Sequence, residues 1–396
     1  MKKDISSRVR NYDSSHPQLP KGIKTWQWSS LFLYDLFFGI TARRKNENGQ
    51  VMKKFSNNSS IGKQFKKIHN SNTKRLLALN GAHNYSKPLD LPVISPQDFN
   101  AEWFLQWKTQ INMPLVIKNY LKDAPILQRV ETEQLINDYG NKKVVCVQPN
   151  SIIDSKDESG IGQNLHDETT TLKEFLLEDK YKNYYINNFF GILNNEDFLR
   201  DCKGKELDSL LGRENILTQW FISRKTNSGS SLHCASADNM FLNIKGRKEW
   251  FFIHPSYTSI MQPSMSKHGV FCVSELEESF EGDFYEGLVE RYPHMKYVPV
   301  YRVVLEEGDL LFNPPWWWHR VKNLSDQTIG CATRYYEANK SWSNGRTFTI
   351  GMIIESLKNP KKSPMYLTYK SLRNKDYAEN YITSIFSKKD KTYNKT

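Results

Sequence analysis

Between Thr218 and Tyr335 the chain is cut into short apolar and β-branched runs: Gln219 to Ser223, Met240 to Ile244, Glu249 to Ile253, Val298 to Leu305, Asp309 to Phe312 and Thr328 to Tyr335. Turn signals at Gly229, Lys245-Gly246, His254-Pro255 and Gly308-Asp309 separate them. Glycine and proline punctuate local structure, and runs of this length between such breaks read as strands. A succession of short strands with glycine punctuation predicts a small antiparallel barrel or jelly roll.

The rest of the chain frames that segment. Upstream, Ser95-Pro96-Gln97-Asp98-Phe99 reads as a helix start, with Phe99, Trp103, Phe104 and Trp107 at helical spacing. Pro114-Leu115-Val116-Ile117-Lys118 and Val144-Val145-Cys146-Val147 read as strands. Residues 1–88 read as a basic accessory region containing a Lys, Asn and Ser-rich run from Arg43 to Asn72, which predicts a loop. Helical character returns in residues 341–396, which end in a Lys-rich tail. The expected organisation is therefore 1–88, a β domain over 89–340, and a helical region over 341–396, mainly β with flanking helices (α+β).

Composition narrows the class. A content of 38% hydrophobic and 13% aromatic residues belongs to a folded protein with an aromatic core. The net charge of +12 favours acidic partners, such as an acidic macromolecule or protein segment. Lysine and asparagine are spread along the whole chain, so no focused stripe marks sequence-specific nucleic-acid binding. Five widely spaced cysteines without a CxxC pair indicate neither a disulfide framework nor a zinc knuckle, and they suit an intracellular compartment, cytoplasmic or nuclear. The apolar stretch 26–41 is short for a membrane span and carries Asp35. It reads as a core or interfacial helix, with membrane contact the lesser alternative.

His233 and His319 are the candidate chemical residues. Residues two apart on a strand point the same way, so His233 and Ala235 would face one interior point. His319, after the Asp309 turn and the stiff Pro314-Pro315 segment, would reach that point from another strand. The competing reading is a pair of hydrogen-bonded core histidines.

Residues from about 90 to 340 resemble the JmjC and cupin-like family of Fe(II)- and 2-oxoglutarate-dependent oxygenases. The resemblance rests on Pro114 to Lys118, on the stretch from His233 to Trp250, and on Gly308-Asp309 running to Trp318-His319. It implies a double-stranded β-helix, with His233 and His319 as iron ligands. It further implies that Lys248 holds the far carboxylate of 2-oxoglutarate, that the Ser230 hydroxyl assists it, and that Asn239 lines the same pocket. A buried dianion needs such a cation and donors, because desolvation would otherwise forbid it. Arg334 is more simply a surface ion pair, with contact to a pocket anion as the alternative.

Where the family has an acidic ligand, this chain has Ala235. Three readings follow. The first resembles Fe(II) and 2-oxoglutarate halogenases, in which a small residue leaves room for chloride on the metal. The second makes Asp238 a surrogate ligand in a hydroxylating enzyme, although its odd offset from His233 points it away unless a bulge intervenes. The third is a catalytically inactive binding module.

Overall fold

The computed structural model describes residues 5–12, 84–147, 168–189, 200–261, 263–265, 271–274 and 279–358, with isolated positions outside these stretches. The apolar 26–41 segment and the Lys-rich tail lie outside the described residues. Among the described residues, no helix is long and apolar enough to cross a membrane.

In the run read as a loop, Arg44–Lys45 pairs antiparallel with Val51–Met52 as a separate two-stranded ladder. In the two large sheets the first strands are β1 (Leu89–Asp90), β2 (Val93–Ile94), β3 (Leu115–Ile117), β4 (Lys143–Val147), β5 (Glu168–Thr171) and β6 (Tyr185–Phe189). The segment that reads as strands from sequence gives β7 (Leu217–Ser223), β8 (Gly229–Ala235), β9 (Asp238–Lys245) and β10 (Lys248–Ile253). After these come β11 (Pro263–Met265), β12 (Phe271–Ser274), β13 (Val300–Leu305), β14 (Leu310–Asn313), β15 (Trp318–Asn323) and β16 (Thr328–Tyr335). One sheet has the order β11-β12-β8-β15-β10-β13-β1, and the other β2-β3-β14-β9-β16-β7-β6-β4-β5. Pairing is antiparallel except where β1 joins β13 and β2 joins β3. From β7 to β10, and again from β13 to β16, strands that follow one another alternate between the sheets, which is the jelly-roll, double-stranded β-helix arrangement expected from sequence.

The sheets face each other across an aromatic interior. Phe241 of β9 meets Trp250 of β10 edge to face at 4.8 Å, and Trp250 stacks on Phe252 at 5.7 Å. The outer faces are covered too. Phe312 of β14 takes Phe104 from the helix Ala101–Gln106, and Phe251 of β10 takes Phe284 from the helix Phe284–Arg291. Central strands are consequently buried on both sides, and their sequences show no simple alternation.

Two glycines shape the centre. Gly246 turns β9 into β10 with a φ of +72°, a left-handed conformation that costs a residue with a Cβ. Gly330 of β16 is needed for space, since a Cβ there would lie 2.2 Å from the tip of the Phe241 ring. Gly330→Ala is therefore expected to destabilise the fold by about 1–3 kcal/mol, read as a lower melting temperature.

The helix expected around Phe99 to Trp107 forms over Ala101–Gln106 and continues as a π-turn, Trp107–Ile111. Asn100 caps it by accepting the Trp103 backbone N–H at 3.0 Å. The described part of the N-terminal region leans on this element: the Trp103 indole donates to the Ile5 carbonyl at 3.0 Å, and Arg10 bridges to Val93.

Candidate active site

β8 and β15 are neighbours, and their register sets His233 directly opposite His319. The two ring centroids are 4.1 Å apart. Each ring is locked by its own strand. His233 Nδ1 lies 2.7 Å from the Ser231 carbonyl and His319 Nδ1 lies 2.9 Å from the Trp317 carbonyl. A carbonyl only accepts, so both Nδ1 atoms carry the proton and both Nε2 atoms keep a lone pair. The Asn313 side-chain amide lies 3.2 Å from His319 Nδ1, and with its oxygen turned toward the ring it accepts the same proton. Burial lowers the His233 pKa to about 4, with the nearby Arg334 charge acting in the same direction. Burial also takes His319 well below its usual value, helped by His233 and Arg334. Two neutral imidazoles with free Nε2 atoms are the form in which histidine binds a metal.

Ala235 follows two residues after His233 and is half-buried. Its carbonyl accepts the Trp316 backbone N–H at 2.7 Å. Trp316 itself has a φ of +65°, a left-handed conformation that costs a non-glycine residue roughly 1–3 kcal/mol. Packing holds it there: the indole N–H donates to Ser341 Oγ at 2.9 Å, the ring stacks on Phe348 at 4.7 Å, and Gly345 presses close against it.

Asp238 goes elsewhere. It starts β9 on the face opposite Asn239 and Phe241, and its carboxylate is 2.7 Å from Lys108 Nζ, which also reaches Glu337 at 2.6 Å. No bulge turns it inward, so the geometry gives no support to Asp238 as a surrogate ligand. Asp238→Asn is expected to leave Mn(II) binding within about twofold, because distant sites act independently. Lys108→Met leaves the buried Asp238 carboxylate without its cation, while Glu337 keeps Arg213 at 3.6 Å, and is expected to cost ~3–5 kcal/mol in a urea melt.

Among the described residues, no group of three or more His, Cys, Asp or Glu side chains could hold a metal ion. Two imidazoles suit Fe(II) as part of a ligand set, but a carboxylate is missing from the facial triad. The described donor set therefore fits iron only with an anion from outside it in the third place.

Lys248 begins β10 at the other end of the interior, four positions from Phe252, which is opposite His319. Its ammonium is buried, 2.5 Å from Asn323 Oδ1 and 3.0 Å from Thr328 Oγ1. With only neutral acceptors around it, burial lowers its pKa to about 7. Ser230 faces inward and bonds the Tyr185 hydroxyl, which projects from the opposite sheet. Ser230 and His233 are an odd number of residues apart, yet both face the interior. The register shift between them in β8 makes this possible. Asn239 is buried with its amide oxygen unpartnered.

Arg334, opposite Asn239 in the β9–β16 register, also points inward. Its Nε donates to Gln219 Oε1 at 2.8 Å, while its Nη1 is enclosed and meets no partner. The surface ion pair expected for it does not form. It lies close enough to bias both imidazoles.

The profile of the cupin-like domain family matches residues 100–341. The chain belongs to the cupin-like domain family. A cupin-like domain supplies the scaffold of the oxygenase superfamily, and the two-sheet barrel with convergent histidines agrees with it. The chain is also similar to an HSPB1-associated protein 1 homolog from Danio rerio, at 25% identity over 118 residues. That stretch is 30% of this chain and 24% of the relative, so the likeness covers about a quarter of the relative's length.

Within this cupin-like interior, Tyr185, Asn323 and Thr328 have no counterpart among the site residues expected from sequence, and Arg334 stands there only as the lesser alternative to a surface ion pair. Tyr185 comes from β6, and no local pattern ties that strand to Ser230. Asn323 and Thr328 flank the turn from β15 to β16, and their role depends on Lys248 folding back between them. Cys234 points outward into the second apolar cluster with Cys272 and Phe251, as its alternation with His233 requires.

Proposed function

We propose that this protein is an Fe(II)- and 2-oxoglutarate-dependent enzyme that functionalises C–H bonds oxidatively, with an exogenous anion, chloride first, beside Ala235 as the third ligand. The observation that carries this reading is the pair of Nδ1-locked imidazoles, 4.1 Å apart, with free Nε2 atoms and only a methyl group where a carboxylate would stand. His233 and His319 would hold the iron. Lys248, with Ser230 and Tyr185 nearby in the fold, would hold the far carboxylate of 2-oxoglutarate, and Asn239 would line the pocket between. When bound, iron and 2-oxoglutarate supply the oxidising power, with succinate and carbon dioxide as co-products. The protein's own part is orientation: rings fixed before the metal arrives, a buried cation for the cosubstrate, and an aromatic wall of Trp250 and Phe252 that excludes water. The positive net charge favours an acidic macromolecular substrate.

The test is succinate release with Fe(II) and 2-oxoglutarate, with and without chloride. Release that requires chloride or bromide supports the halide reading. Equal release in halide-free buffer removes it and leaves hydroxylation.

One observation favours a second reading, a catalytically silent binding module. Lys248 already has two neutral acceptors of its own, and no third protein ligand is present among the described residues. The absence of succinate under every condition, with 2-oxoglutarate still bound, would select it.

A further inference from the structure

We propose that the barrel interior is a receptor for one dicarboxylate that binds without a metal, with Lys248 taking one carboxylate and Arg334, beside Asn239, taking the other. The inference rests on the reading of Lys248 as a carboxylate anchor, and it does not depend on iron.

The argument begins with charge. The buried carboxylates among the described residues are Asp201, Asp238, Glu249 and Asp309. Each has a cation of its own outside the barrel interior: Asp201 has Arg129 and Arg200, Asp238 has Lys108, Glu249 has Arg302, and Asp309 has Lys118. Lys248 and Arg334 share in none of these pairs. The interior thus presents two cations and no described carboxylate, and a buried charge without a counter-charge is costly. One dianion neutralises both. With Fe(II) added, the same dianion would leave two positive charges uncompensated, so the protein alone matches a dicarboxylate better than protein and metal together.

Hydrogen bonding agrees. Arg334 Nη1 is enclosed without a partner while its Nε is spent on Gln219. Across the β9–β16 register the Asn239 amide also has an enclosed, unpartnered atom, and turning that amide end for end offers an N–H₂ to an anion. Asn313, at the same end of the barrel, has an enclosed amide oxygen without a partner and its nitrogen against the His319 Nδ1–H; turning this amide as well lets its oxygen accept from the imidazole and frees an N–H₂ for an anion. These are the groups that a carboxylate oxygen would satisfy.

The span also fits. Lys248 is four strand positions from the level of the imidazoles, about 13 Å at 3.3 Å per residue. Arg334 acts on the imidazole pair from the facing sheet. An extended five-carbon diacid measures ~7.5 Å between its outer carboxyl oxygens, four C–C and two C–O bonds advancing ~1.25 Å each. Adding a charge-assisted contact of ~3 Å at each end covers that distance. The mouth is reachable, since Gln219, His233, Ala235 and Arg334 are all half-buried.

The experiment is calorimetry on the full chain freed of metal with EDTA, titrated with 2-oxoglutarate, glutarate and pentanoate, and repeated with Mn(II). Both diacids are expected to bind without metal, within about tenfold of their affinity with Mn(II), and pentanoate at least tenfold more weakly. Arg334→Gln should weaken diacid binding at least tenfold, and Arg334→Lys should restore part of it. A diacid-induced rise in the melting temperature of the metal-free wild type, absent with pentanoate, gives the same answer without any variant. Binding seen only with Mn(II), pentanoate equal to glutarate, or a folded Arg334→Gln protein that binds like wild type would each overturn the proposal. Chloride-dependent turnover without metal-free binding would sink this inference and spare the proposed enzyme; metal-free binding without turnover would do the reverse.

Discussion

Ala235→Asp should raise the affinity for Fe(II) or Mn(II) by more than ~100-fold, since even outer hydrogen-bond partners of metal ligands are worth 10–100-fold. The position shares the face of His233, and the Trp316 N–H holds its backbone in place, so a carboxylate there would point where the imidazoles already converge. Their tautomers are fixed before any metal binds, so the new ligand would complete a set instead of organising one. Any dependence of succinate release on chloride should vanish in the same variant, because the third place is then filled by protein. A competition titration with a fluorescent chelator reads the affinity directly. Unchanged affinity in a folded variant would mean that the imidazoles do not share an ion, and the proposed function would fall with them.

Lys248→Met should abolish dicarboxylate binding, by ~100-fold or more, while leaving the unliganded protein as stable as wild type or more so. The two effects have one cause. Lys248 is buried beside neutral acceptors, so its charge is a burden until an anion arrives. Methionine keeps the volume, and Asn323 and Thr328 remain paired with each other at 3.1 Å. The pH dependence has a definite sign. Because the folded-state pKa is lowered to about 7, the unfolded chain holds more protons between that value and the ordinary lysine range. Wild-type stability should therefore fall as pH is lowered from about 10 to about 7, and Lys248→Met should flatten this slope. Melting temperatures across that interval, without diacid, test it. A steep loss of stability in the variant at every pH would show that the lysine supports the fold.

The sequence made the β architecture legible because its turns are chemically explicit: Lys245-Gly246 and Gly308-Asp309 mark tight turns whatever lies around them, and each carries the chain from one sheet to the other. The histidines were legible for a similar reason, each set in a distinctive local run. Asp238 lies on β9 and His233 on β8, so its outward aim follows from alternation with Asn239 and Phe241 along β9 and not from its offset to His233. Arg334 was not legible. β16 is buried on both faces, so Thr328, Gly330, Ala332 and Arg334 show no contrast with the residues between them, and a charge near a strand end reads as solvent-facing. Ser230 defeats simple alternation. Only the bulge in β8 brings it to the same side as His233, and a bulge of this kind has no composition signal here. Tyr185 depends on a strand from the far end of the second sheet, a long-range fact that no local window carries.

The grip of the C-terminal helices on Trp316 has a bearing on how such a site can change over time. Ser341, Gly345 and Phe348 hold that indole, and its backbone in turn fixes the rim where Ala235 sits. Substitutions in a remote helical segment can thus retune ligand geometry while every pocket residue stays the same, giving this lineage a route to new chemistry that a comparison of pocket residues alone would miss.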